Sequence, residues 1–114
     1  MSSISYQIRE LLLPGGKSPY AEWFASLDAL AAAKVRVAAA RMEQGNLSNV
    51  EWFRGIGEYK IDWGPGYRIY LAKDGLKIII LLGGGSKKRQ QQDIDQAVSL
   101  WEDYKRRKLQ TPKR

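Results

Sequence analysis

The stretch from Glu58 to Arg89, EYKIDWGPGYRIYLAKDGLKIIILLGGGSKKR, decides the fold. Its period is two. Tyr59, Ile61 and Trp63 alternate with Glu58, Lys60 and Asp62, the pattern of a strand with one buried face. Gly64-Pro65-Gly66 turns the chain, after which Tyr67, Ile69 and Leu71 alternate with Arg68 and Tyr70. Lys73-Asp74-Gly75 carries the Asp-Gly hairpin signal. Leu76 to Leu82 is a nearly continuous apolar run, as expected of a central strand covered on both faces. Gly83-Gly84-Gly85 breaks it. The stretch thus predicts a three-stranded antiparallel meander. Its polar face carries Lys60 and Arg68, and Lys87, Lys88 and Arg89 follow the last strand. Cations held on a rigid sheet are a means of gripping a phosphate backbone.

Upstream, Ile4 to Leu13 predicts a first strand closed by a Pro14-Gly15-Gly16 turn. Ser18-Pro19 is a helix start, with serine as N-cap and proline at the first helical position. Tyr20, Trp23, Phe24 and Leu27 then recur at helical spacing. A second, alanine-rich helix is expected from about Asp28 to Gln44. Ala31, Val35, Ala38 and Met42 form its apolar stripe, Lys34, Arg36, Arg41 and Glu43 face outward, and Gly45-Asn46 ends it. Downstream, a last helix from about Lys88 to Arg107 buries Ile94, Ala97, Val98 and Trp101. The expected order is β-α-α-β-β-β-α, an α+β fold with a small antiparallel-rich sheet on a helical hairpin. Residues 1–108 are expected to form one domain and 109–114 a basic, disordered tail.

Composition narrows the chemistry. The 114 residues contain neither cysteine nor histidine, which removes thiol chemistry, the commonest general acid/base and the commonest zinc ligand. No apolar run is long enough to span a bilayer and the N-terminus has no signal-peptide core, so a soluble cytoplasmic protein is expected. The net charge of +7 is uneven. Residues 51–89 hold eight Lys/Arg against four Asp/Glu, residues 90–104 four acids and no base, and residues 105–114 six bases and no acid. The end of the chain therefore supplies most of the excess, and charge alone is weak support for a nucleic-acid partner.

Four stretches together resemble the RelE/ParE superfamily of bacterial toxin–antitoxin toxins, nearest to its phage-borne, HigB-type addiction module killer proteins. They are Trp23-Phe24, Gly57-Glu58-Tyr59-Lys60-Ile61, Gly64-Pro65-Gly66-Tyr67-Arg68-Ile69-Tyr70, and Leu81 to Lys88 followed by Gln91, Asp93 and Ile94. The resemblance spans about Ile8 to Tyr104. It implies a microbial-RNase-like sheet and a type II toxin acting as an mRNA interferase, a ribosome-dependent endoribonuclease that inhibits translation. It also implies a cognate antitoxin of helix-turn-helix, HigA-like type, operator DNA bound only through the complex with it, and no membrane, metal or cofactor.

Mapped residue by residue, the resemblance puts Lys60, Arg68, Lys87 and Lys88 at the basic positions such toxins turn to RNA. Arg68, Lys60 and Lys88 are the catalytic candidates; Lys87, Arg89, Tyr70 and Arg54 are the candidate RNA contacts, Tyr70 from its place on the face of Arg68, where it stacks on a base or donates a proton. Cleavage by the 2′-OH needs a base, cations on the phosphorane and an acid for the leaving oxygen. Arg68 fits the electrostatic role and Lys60, Lys87 and Lys88 the proton-transfer roles, while Tyr70 stands on the same face as Arg68. This chain departs from the family pattern at Asp62, where a second base is common, and in lacking histidine. Other readings stay open. Arg68 pairs with Glu58 or Asp62 across the hairpin, the glycine run makes either a tight turn or a phosphate nest, and the fold serves instead as a gyrase inhibitor or a non-toxic co-repressor.

Overall fold

The computed structural model describes residues 4–110. Five strands form one mixed sheet: β1 (Gln7–Glu10), β2 (Val50–Phe53), β3 (Ile56–Lys60), β4 (Arg68–Asp74) and β5 (Ile78–Gly85). Three helices flank it: α1 (Pro19–Ala25), α2 (Ala29–Glu43) and α3 (Gln90–Gln110). A single 3-10 turn, Lys87–Arg89, leads into α3. The strand order is β1-β5-β4-β3-β2, with β1 parallel to β5 and every other pair antiparallel. The fold is α+β.

The helix starts follow from local chemistry. The Ser18 hydroxyl accepts the Ala21 N–H at 3.0 Å, and an Asp28 carboxylate oxygen accepts the Ala31 N–H at 2.9 Å. Each satisfies an amide that has no partner within its helix. At the other end of α2, Gly45 takes φ 97°. Its N–H donates to Met42 and that of Asn46 to Arg41, the paired bonds that close a helix on a left-handed glycine.

The sheet is covered on both faces. Tyr20 of α1 and Val35, Ala38 and Met42 of α2 pack on Tyr59, Ile61, Ile69, Leu71, Ile79 and Leu81. Ile94, Ala97 and Trp101 of α3 pack on Ile56, Tyr70, Ala72, Ile80 and Leu82 of the opposite face. The expected polar face of the meander is therefore largely a second core.

Three expectations are corrected. The β2 strand is additional: Val50–Phe53 pairs with β3 through the two-residue turn Arg54-Gly55. Both turn residues have positive φ, as the twist of a tight hairpin requires, and an arginine there hides the turn from a sequence reading. Second, β5 runs on through Gly85, so the glycines are strand rather than turn or phosphate nest. A Cβ on Gly84 would land on the Trp23 indole, and one on Gly85 on the Asp93 carboxylate, which explains the missing side chains. Third, α3 continues to Gln110, two residues into the segment expected as a tail. The rest of that tail, residues 111–114, lies outside the described residues. Among the described residues no helix is long and apolar enough to cross a membrane.

Candidate functional site

The site is built where β3 ends, β4 begins and β5 hands over to α3. Lys60 is paired in register with Arg68, and Arg68 with Gly85. The Gly64-Pro65-Gly66 turn joins the first two strands. Gly66 takes φ 78°, and a Cβ there would approach an Arg68 guanidinium nitrogen at 3.3 Å and Lys87 Cβ at 3.6 Å. Its bare Cα lets the guanidinium fold back over the turn, where Nη1 donates to the Gly66 carbonyl at 2.7 Å. The Lys87 N–H donates to the Pro65 carbonyl at 3.4 Å, drawing the 3-10 turn against the same loop.

Arg68 is buried, with 8% of its surface exposed, and Glu58 beside it retains 2%. Arg68 Nε lies 3.4 Å from Glu58 Oε2, an ion pair without hydrogen-bond geometry. The same carboxylate oxygen accepts from the Tyr70 hydroxyl at 3.0 Å and from Gln90 Nε2 at 2.9 Å. A buried carboxylate survives in this setting because it has a cation and two donors. Burial, then the charge and hydrogen bond of Glu58, push the Tyr70 hydroxyl far above its ordinary 10.0. At neutral pH it is a fixed hydrogen-bond donor.

Above this cluster opens a cleft of ≈ 400 Å³ lined by Lys60, Asp62, Gly66, Tyr67, Arg68 and Lys87. Three cations line it against one carboxylate, Asp62. Lys60 is half exposed and lies 3.5 Å from Glu51 at the neighbouring strand edge. Lys88 and Arg89 are exposed on the adjoining turn, where Arg89 Nε donates to Gln92 at 2.8 Å. The arrangement suits a phosphate. Arg68 is held at the base by its bond to Gly66 and its contact with Glu58, and the lysines stand on the walls as exposed point charges.

The structure thus brings Lys60, Arg68 and Lys87 together and sets Lys88 and Arg89 beside them. Of the expected RNA contacts it buries one and sets another apart from the cleft. Tyr70 is only 1% exposed, under α3, so its ring has no open face for a base and its hydroxyl is committed to Glu58. Arg54 sits on the β2–β3 turn and pairs with Asp95 of α3 at 2.9 Å. It lies six residues before Lys60, at the far end of β3, about 20 Å away along an extended chain. Gln90 carries no mark in the sequence: no periodicity identifies a glutamine as a ligand of a buried carboxylate. Glu58 was legible only as one of two cross-hairpin partners for Arg68, and the structure selects it over Asp62.

The chain is 37% identical over 83 residues to an uncharacterized protein of Haemophilus influenzae, a match covering 71% of this chain and 84% of that protein. It belongs to that protein's family. No family model and no solved structure matches the chain.

Proposed function

We propose that this protein is a RelE/ParE-type toxin that engages mRNA on the translating ribosome and cleaves it at the Arg68 cleft, under the control of a helix-turn-helix antitoxin. The observation that carries the reading is the cleft itself. A guanidinium fixed by Gly66 and Glu58 forms its base, and Lys60 and Lys87 flank it on strand and turn ends that the sheet holds rigid. Preorganised cations at a phosphate act without reorganisation when charge develops.

In the proposed step the 2′-oxygen attacks the adjacent phosphorus, its proton passing to a base, and the bond from phosphorus to the 5′-oxygen breaks. The leaving oxygen takes a proton, giving a 2′,3′-cyclic phosphate and a 5′-hydroxyl. Arg68 and Lys87 neutralise the phosphorane. Lys60 and Asp62 are the cleft groups able to exchange protons. Purified chain added to translating ribosomes should yield mRNA fragments with those ends, and Lys60→Ala with Lys87→Ala should abolish them. A full set of intact messages would sink the reading.

One observation favours a second reading. Arg68 is already neutralised by Glu58, which suits a protein that binds its target without cutting it, as a gyrase-directed toxin of the same superfamily would. Growth arrest with double-strand DNA breaks and intact mRNA would select it.

A further inference from the structure

The Arg68 cleft does not stop at Lys60. Its wall of Lys60, Ile61 and Asp62 is shared with a second groove of ≈ 560 Å³ that runs along α2 past Lys34, Val37, Arg41 and Trp63. Among the described residues neither Lys34 nor Arg41 has a carboxylate partner. They stand seven residues apart on one helix, about 10 Å along its axis. Between the two cationic regions lies an aromatic ledge. Tyr67, which lines the first cleft, stacks on Trp63 of the second with ring centroids 6.2 Å apart; both rings are half-buried with one side on the core, where Tyr67 also meets Trp23, and their outer rims line the clefts. The Lys34 ammonium rests 5.7 Å from the centre of the Trp63 ring.

We infer that the two clefts form one track for consecutive nucleotides of a single RNA strand. Arg68, Lys60 and Lys87 hold one phosphate, Lys34 and Arg41 hold another, and a base between them lies on the Tyr67–Trp63 ledge. The inference rests on the reading of the Arg68 cleft as an RNA site and extends it to a multi-nucleotide footprint. Aromatic platforms flanked by cations are how proteins hold single strands with little regard to sequence. An exposed lysine on an indole is a weaker partner than a stacked base, so Lys34 yields the ring and turns to the phosphate. An acidic peptide would meet the same cations. The ledge running from one cleft into the other, however, matches the alternation of base and phosphate rather than a polypeptide.

The test uses the full chain and fluorescein-labelled single-stranded RNAs of two and six nucleotides, followed by anisotropy across a salt series. Lys34→Ala with Arg41→Ala alters two exposed side chains of α2, and thermal melting checks the fold. We expect hexanucleotide affinity to fall on the order of tenfold and its salt slope to drop by about 1.4, two lost phosphate contacts on a single strand. Dinucleotide binding should be unchanged. If hexanucleotide binding survives that double change but is lost with Lys60→Ala and Lys87→Ala, the second subsite is wrong while the Arg68 cleft stands. If poly-glutamate, and not RNA, depends on Lys34 and Arg41, the groove is a face for an acidic protein and the inference fails. No RNA binding by the unaltered chain also overturns it, and the ribosome cleavage experiment then decides the Arg68 reading separately.

Discussion

Replacing Arg68 by alanine should destabilise the protein by about 3 kcal/mol. Breaking a buried ion pair by removing one partner costs roughly 3–5 kcal/mol, because the remaining charge is left without compensation. Here the remaining charge is Glu58, 2% exposed. The lower end of that range applies for two reasons. Glu58 keeps its bonds from Tyr70 and Gln90, at 3.0 and 2.9 Å, and its contact with Arg68 is long at 3.4 Å. Glu58→Gln removes the charge but leaves an oxygen to accept, and should cost about 2 kcal/mol. The double variant should cost about 3 kcal/mol rather than the sum, a coupling of about 2 kcal/mol between two residues in contact. Urea denaturation reads this directly. With a slope of about 1.5 kcal/mol per molar, Arg68→Ala lowers the midpoint by about 2 M at unchanged slope. Single changes that each cost less than ~1 kcal/mol and simply add would refute the buried pair, and Arg68 would then be a free surface cation.

Other consequences are independent of that pair. Gly84→Ala places a methyl on the Trp23 ring where α1 packs on β5, and should cost up to about 3 kcal/mol in thermal or urea melts. Arg54→Asn relieves a non-glycine residue at φ 54° at the loss of an exposed ion pair to Asp95. It should raise stability by about 0.5 kcal/mol and leave RNA affinity unchanged; weaker RNA binding would return Arg54 to the interface. Asp74 accepts from Lys108 and then Tyr104, which hold its carboxyl below its ordinary 3.8. Its folded pKa lies below the unfolded one, so its contribution is complete above 3.8 and is lost as pH falls through the lower folded value. Asp74→Asn should therefore lose stability at neutral pH and show a shallower acid limb than the parent, and an unchanged limb would contradict the assignment.

The parts of the fold that were legible in the sequence are those governed by local chemistry. Ser18-Pro19 and Asp28 start helices because a side-chain oxygen satisfies nearby amides, and Ala31, Val35, Ala38 and Met42 are all buried as their spacing requires. What escaped depends on distant partners. Alternation put Arg68 and Tyr70 on the face opposite Ile69 and Leu71, which is where they are. It carried no information that α3 returns to cover that face, so residues expected at a surface became a buried cluster. The glycine run hides for the same reason: Gly84 and Gly85 are set by the bulk of Trp23 and Asp93, which lie far from them along the chain or on the next helix. β2 is four residues long and ends in an arginine-led turn, so neither length nor turn composition announced it. Within the candidate site, Lys60, Arg68 and Lys87 were legible as cations at the ends of strands. The anchoring of Arg68 by Glu58, with Gln90 on the same carboxylate, was not, because it is set by how α3 docks.

The most direct test is to induce the chain in a bacterium without the proposed antitoxin and map mRNA 5′ ends with translation running and with translation blocked. Lys60→Ala with Lys87→Ala is the appropriate control, since both side chains are exposed and their loss leaves the buried pair intact. A ribosome-dependent nuclease gives growth arrest with new 5′ ends inside translated codons, absent when translation is blocked and absent in the double variant. New ends that persist without translation, arrest with intact messages, or cleavage undiminished in the double variant would contradict that reading.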